Sequence, residues 1–504
     1  MIMEKEFYDY CIVGAGLAGS LLAYNLTKSG KNVVIIDAGP RFIDQQTEYG
    51  IDPNGFLPFI LPEGHPSFIN YEDSSSPPYP YKQSIVKGIG GSTLAWLGTA
   101  VRLLPDDFEM HNQFGIGVDW SINYPSMEEY YQEAECELGV AGRNDNPWLK
   151  NIIYPLPAFP FDETDQLFIR ACKELNIRTH STPQARNSKK YNNYSECASS
   201  ASCIPFCPSG AKYTALRHLL EAEKTGFLKI LSNSPVLKLV SDKDKVLSAL
   251  VFSPSKPFYV EAQNFILAAH AVESIRLLML SSSDFSPNGL ANSSGLLGKC
   301  FMDHPLIISE GKIDSKLELK GYQTLQSYQF YSTENRSREG AFKLEFSTSP
   351  QFSWQKKNNE VVRKLKIICL LELLPVLENQ VTLSKSKKDN LDLPVAKISI
   401  KFSDYENEAA LKAKSVAEQI LQSCGARKIK TSDMNWGVGG HPSGGCRMSK
   451  SNAEGIVDQN LKAHDVKNLF VVGSSVFPTI GAANPSLTVA ALALKLSHYL
   501  AENY

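Results

Sequence analysis

The 504-residue chain has few cysteines, almost no net charge and no apolar run long enough to cross a membrane. A formal net charge of -2 gives no reason to expect nucleic acid or an acidic membrane surface as a partner. Met1 to Glu6 lack a basic region leading into an apolar stretch and a cleavage site, so no targeting segment is visible. The apolar run Tyr10 to Ala23 is broken by three glycines, and Leu487 to Leu494 stops at Lys495, too soon to span a bilayer. The expectation is a cytoplasmic protein with no membrane span; export on a signal carried by a partner chain stays open. Of ten cysteines, seven are scattered: Cys11, Cys136, Cys172, Cys300, Cys369, Cys424 and Cys446. Most of these lie in apolar surroundings, where a reduced cysteine acts as a small core residue.

The length exceeds what one hydrophobic core usually serves, so two domains are expected. Apolar residues at 43% and charged residues at 21% fit a soluble globular chain. Tyr8 to Val13 reads as a strand, and Leu17, Leu21, Leu22 and Leu26 recur at helical spacing up to Ser29-Gly30. Val33 to Ile36, apolar on both faces, suits a central parallel strand and completes a βαβ unit. Residues 40 to 85 and 143 to 212 are rich in turn formers and read as long irregular excursions. A second α/β pattern follows, with a helix from Leu216, strands at Val236 to Val240 and Phe265 to Ala268, and a helix ending near Leu280. Alternating runs around Val381 and Ala396 to Ile400 look like antiparallel strands of a second domain. A last strand, Leu469 to Val472, precedes the final helix.

Val13-Gly14-Ala15-Gly16-Leu17-Ala18-Gly19 sits after a strand and opens a helix, where a dinucleotide fingerprint must lie. Gly14 permits the tight turn, Gly16 lets backbone approach a pyrophosphate, and Gly19 lets helix pack on strand. The free N–H groups near Leu17 and Ala18 and the helix dipole favour phosphate charge. Asp37 ends the second strand, where a carboxylate can accept hydrogen bonds from a ribose. These residues do not separate NAD from FAD.

Two C-terminal segments carry candidate chemistry. In Gly437-Val-Gly-Gly-His441-Pro-Ser-Gly-Gly, a histidine lies on backbone that can approach a ligand closely; taken alone, it reads as a loop histidine bonded locally. In Gly473-Ser474 through Asn484-Pro485, Asn484 is an excellent helix N-cap and Pro485 an ideal first helical residue. A helix N-terminus aimed at a flavin would also stabilise negative charge on its reduced form, with Asn484 holding a substrate oxygen. Both readings can hold together.

With Gly88-Ile-Gly-Gly-Ser-Thr-Leu-Ala-Trp96 added, the chain resembles the glucose-methanol-choline oxidoreductases over nearly its whole length. The resemblance implies an α/β (α+β overall) protein: a Rossmann-like FAD-binding domain with an inserted substrate domain built on an antiparallel sheet. FAD-binding parts would be 1–150, 216–305 and 433–504, with a loop-rich cysteine-containing insert at 151–215 and the substrate domain at 306–432. His441 matches the family's active-site histidine and Asn484 the His-or-Asn partner position. Gly90, Gly91 and Ser92 match the loop lining the flavin, Val236 the residue whose backbone meets the adenine, and Ser474 and Pro485 join the cofactor site. His441 would accept the hydroxyl proton and Asn484 would orient the oxygen, while hydride passes to the flavin. Some members bind FAD covalently through a histidine; Ala95 takes that position here, so non-covalent FAD is expected. Leu278-Met-Leu-Ser-Ser-Ser-Asp departs from the family's second signature. With Asn292-Ser-Ser-Gly-Leu-Leu-Gly298 and Met302-Asp-His-Pro305, it looks more like the bacterial sugar and polyol dehydrogenase branch.

Cys197-x5-Cys203-x3-Cys207 crowds three thiols into eleven residues. Soft sulfur ligands select zinc or iron–sulfur clusters, and three cysteines do not complete a structural zinc site. The spacing resembles that of bacterial glucose, fructose and gluconate dehydrogenase catalytic subunits, where three cysteines hold a three-iron cluster feeding a cytochrome or other acceptor. A disulfide, or three buried thiols without metal, are the alternatives; His180 and His218 are the nearest histidines that could complete another metal site. The reading is therefore an FAD-dependent dehydrogenase of a sugar, polyol or glycoside-like alcohol. An oxidase making hydrogen peroxide and a non-redox flavin lyase are the competing functions.

Overall fold

The structure is a computed structural model describing residues 7–41, 64–199, 203–204, 207–313, 324–349 and 364–504. Phe7–Val13 pairs in parallel with Val33–Ile36 on one side and Phe258–Leu267 on the other. Leu228–Leu231 and Leu469–Val471 add parallel strands outside these, and Lys245–Val251 with Val236–Asp242 extend the sheet as an antiparallel hairpin. Seven strands result, drawn from three distant stretches of the chain. Helices cover the central strands, which is why Val33, Val34, Ile35 and Ile36 are all buried. Each such side chain contributes about 1.5–3 kcal/mol on burial. Leu17–Lys28 packs between Ser486–Asn503 and Leu216–Lys224, so the first and last helices touch.

A second sheet of six antiparallel strands runs in the order Arg427–Thr431, Leu306–Lys312, Lys364–Leu371, Phe342–Ser349, Leu325–Ser327 and His180–Ser181. Its strands alternate as the pleat demands. Ile307, Leu344, Phe346, Leu365, Ile367 and Cys369 pack with the helices Glu163–Glu174 and Asp404–Ser423. Leu306, Ile308, Glu345, Lys366 and Ile368 point the other way, into a cavity shared with the first sheet.

Two parts of the sequence reading change. The segment 151–215 is more than a loop-rich insert, because Glu163–Glu174 and His180–Ser181 complete the second domain's core and sheet edge. Gln380–Lys388 and Pro394–Ser399 are antiparallel as read, but they form a separate sheet with Tyr71–Asp73. Their Val381, Ala396 and Ile398 bury into the first domain's core, against the helix Ala271–Leu280. Among the described residues, no helix is long and apolar enough to cross a membrane.

Candidate active site

A cavity of about 870 Å³ runs from the glycine turn to the substrate sheet. Gly14, Gly16, Leu17, Ala18 and Asp37 line one end with Val236. Gly91 and Ser92 line the middle, and Ser474, Asn484, Pro485 and His441 the far end. Gly19 and Gly90 stand behind this wall. A Cβ on Gly19 would lie 2.0 Å from the Gly14 carbonyl oxygen, so its role is helix-on-strand packing. Gly90, with φ of 104°, turns the loop and donates its N–H to Ala15 O at 2.9 Å. The two glycine loops touch: a Cβ on Gly91 would lie 2.9 Å from Gly16 Cα. This leaves a trough walled by backbone.

Asp37 is first of all a brace for that trough. Its Oδ2 accepts from Ala15 N and its Oδ1 from Gly39 N, each at 2.9 Å. Burial raises its pKa while these two bonds oppose the shift. The carboxylate keeps further lone pairs for a ribose hydroxyl.

The catalytic candidates meet because their loops are laced together. Gly444 N and Cys446 N donate to Ser474 O and Ser475 O, and Ser474 Oγ donates to Pro442 O at 2.6 Å. Asn484 does not cap the last helix by its side chain; that helix runs Ser486–Asn503, with Pro485 at the cap position. Instead its Nδ2 meets His441 Nε2 at 3.3 Å, and its Oδ1 accepts from Lys343 Nζ at 2.5 Å. Both polar atoms of the amide are thus turned to side chains of the site, and the expected side-chain cap is not formed.

His441 is held from behind by a residue that sequence reasoning left without a role. His304 Nε2 lies 3.0 Å from Gly481 O, and its Nδ1 lies 2.9 Å from His441 Nδ1. A carbonyl only accepts, so His304 carries its proton on Nε2 and, when neutral, accepts at Nδ1. His441 then donates from Nδ1 and keeps a lone pair on Nε2. Both rings stay neutral: burial takes His441 down to about 4 and His304 well below its ordinary value. Asp303 Oδ1 accepts from the backbone N–H of His304 and of His441, at 2.7 and 3.0 Å. Tyr79 Oη donates to its Oδ2 at 2.5 Å. Burial pushes this carboxyl up to about 7 against those three bonds. The signal for His304 was Met302-Asp-His-Pro305, a polar pair inside an otherwise apolar stretch.

The three clustered cysteines lie beside the same cavity. Ile204 lines it, and Lys212 Nζ donates to Cys203 O, Leu94 O and Trp96 O at 2.7, 3.0 and 2.9 Å. Arg186 Nη1 donates to Cys203 Sγ at 3.0 Å, and Lys212 N to Cys207 Sγ at 3.5 Å. Burial acts to raise the Cys207 thiol, but hydrogen bonds from Lys212, Ser209 and Ala211 outweigh it and its pKa falls. All ten cysteines are free thiols in the structure. Among the described residues, no group of three or more His, Cys, Asp or Glu side chains is placed to hold a metal ion. His180 and His218 do not join the cysteines: His180 sits in the substrate sheet, and His218 bonds Tyr213 Oη and Glu137 at 2.8 and 2.9 Å.

The sequence profile of the GMC oxidoreductases matches residues 8–306 and 375–493. The chain belongs to this family. This oxidoreductase is 31% identical to the fructose dehydrogenase large subunit of Gluconobacter japonicus, over 98% of each chain. It is 25% identical to 2-methyl-1,2-propanediol dehydrogenase of Mycolicibacterium austroafricanum, covering 100% of this chain and 97% of that one. Pyridoxine 4-oxidase from Mesorbium loti shares the fold, with a TM-score of 0.67 at 19% identity over 99% of this chain and 100% of that one. The family makes the dinucleotide FAD, and the backbone trough fits it: Gly14, Gly16, Gly91 and Gly473 line it without side chains, and Gly14 packs so closely on Ala268 O that a Cβ there would lie at 2.5 Å. The protein is an FAD-dependent oxidoreductase.

Proposed function

We propose that this oxidoreductase oxidises a CH–OH group of a sugar, polyol or glycoside-like alcohol and passes the electrons to an acceptor other than oxygen. The observation that carries the reading is the neutral His441, its Nε2 lone pair aimed at Asn484 on the cavity wall. A substrate hydroxyl entering there would replace the His441–Asn484 bond, donating to Nε2 and accepting from Nδ2. His441 would take the proton, and Asn484 would fix the oxygen as it gains negative charge. FAD, when bound, supplies the acceptor for the carbinol hydride. Gly14, Gly16, Leu17, Ala18, Gly91 and Ser92 would hold its phosphates and ring by backbone approach, Val236 its adenine, and Ser474 and Pro485 the far end. Ala95 offers no atom for a covalent link, so acid precipitation should release all the flavin.

Cys197, Cys203 and Cys207 are the residues that would hold an iron–sulfur cluster. The Arg186 guanidinium at Cys203 Sγ and the backbone N–H of Lys212 at Cys207 Sγ suit the negative charge of such a centre, and the Lys212 ammonium joins the Cys203 carbonyl to the cavity wall at Trp96 O. The relative named as a large subunit supports a partner protein, a cytochrome or similar acceptor.

The test is an anaerobic screen of alcohols and sugars read by flavin bleaching, with iron assayed on the same sample. Bleaching by a sugar or polyol together with stoichiometric iron, lost in Cys203→Ser, is the expected result. Turnover with oxygen alone and no iron would make the protein an oxidase. Failure of every alcohol to reduce the flavin would leave the lyase reading.

A further inference from the structure

Lys343 is a lysine buried completely beside the site, and nothing in the reaction as described employs it. Phe342-Lys-Leu-Glu-Phe places Lys343 and Glu345 two apart on one strand, hence on the same face, while Phe342, Leu344 and Phe346 fill the core behind. Its Nζ lies 2.6 Å from Glu345 Oε1 and 2.5 Å from Asn484 Oδ1. Glu345 lines the cavity, so the ammonium bridges a cavity carboxylate to the amide that faces His441.

We propose that Lys343 is the positioning residue for Asn484, turning its Nδ2 toward the substrate oxygen and polarising that amide as the oxygen becomes negative. An ammonium can only donate, so it accepts one orientation of the amide and excludes the flipped one. Held this way, Asn484 presents an N–H to the reacting oxygen rather than a second acceptor that would repel it. The positive charge then stands two hydrogen bonds from the alcohol. Glu345 keeps the pair neutral in total, so the site carries the cation without isolated buried charge. This inference rests on the assignment of Asn484 as the substrate-oxygen donor.

The test is stopped-flow flavin reduction in the holoenzyme, using whichever alcohol bleaches it. Lys343→Met should lower the limiting reduction rate about 10- to 100-fold, as when a residue orienting a site ligand is lost, with the apparent Kd changed far less. Combined with Asn484→Ala it should cost little more than Asn484→Ala alone, since both act through one amide. A wild-type rate in Lys343→Met, or losses that simply multiply in the double variant, would overturn the proposal. If Lys343→Met fails to retain FAD, Lys343→Met/Glu345→Leu, which strands no charge, is read by the same two criteria. Should Asn484→Ala itself reduce normally, the reading of Asn484 fails first, and that result is distinct from additive losses.

Discussion

At the scale of single residues, the site depends on which nitrogen carries a proton. Gly481 O decides the tautomer of His304, and His304 decides that of His441. His441→Ala should nearly abolish flavin reduction by substrate while leaving FAD bound; ordinary rates in stopped flow would remove His441 from the chemistry. His304→Phe keeps the bulk but strands the Nδ1–H of His441, and should slow reduction about 10- to 100-fold, the cost of losing an orienting partner. The pH profile separates the two buried acids. His441 must be neutral to accept a proton, and its pKa of about 4 keeps it so at higher pH. Reduction should therefore hold steady from pH 8 to 5 and fall as pH drops through about 4. A fall centred near 7 would point instead to Asp303, whose carboxyl is pushed by burial up to about 7.

At the scale of elements, two glycine loops and one strand face build the cavity. Gly91 has φ of 54° and sits against Gly16 Cα, so Gly91→Ala both strains the turn and pushes the loops apart. Its expected effect is a lower flavin-to-protein absorbance ratio and weaker FAD binding, with the secondary structure kept by circular dichroism. The βαβ unit around Gly14 was legible because strand, turn, helix and terminal acid are local, and each leaves its own periodicity. His441 and Asn484 were legible as candidates through glycine and capping patterns, yet their contact was not, since it joins positions 43 residues apart. Lys343 left a fainter mark, a charged pair at spacing two within an apolar strand. Reading it needed the knowledge of which sheet face meets the flavin domain. The strands Gln380–Lys388 and Pro394–Ser399 show the same limit: alternation revealed strands but not the core they would join.

At the scale of the whole molecule, the cavity is walled by both sheets, so a ligand in it binds the folded chain and not the unfolded one. Adding FAD to apoprotein should raise the free energy of urea unfolding by about 2.7 kcal/mol at a hundredfold excess over Kd. An unchanged unfolding midpoint would show that the trough forms no FAD site. The first sheet carries a further consequence for synthesis. Phe7–Val13 is made first and Phe258–Leu267 only about midway, and Leu469–Val471 pairs with the latter when the chain is nearly finished. The glycine turn therefore leaves the ribosome long before Ser474 and Asn484 can close the other end of its groove. A nascent chain carries only part of this groove until its last strand and final helix have been made.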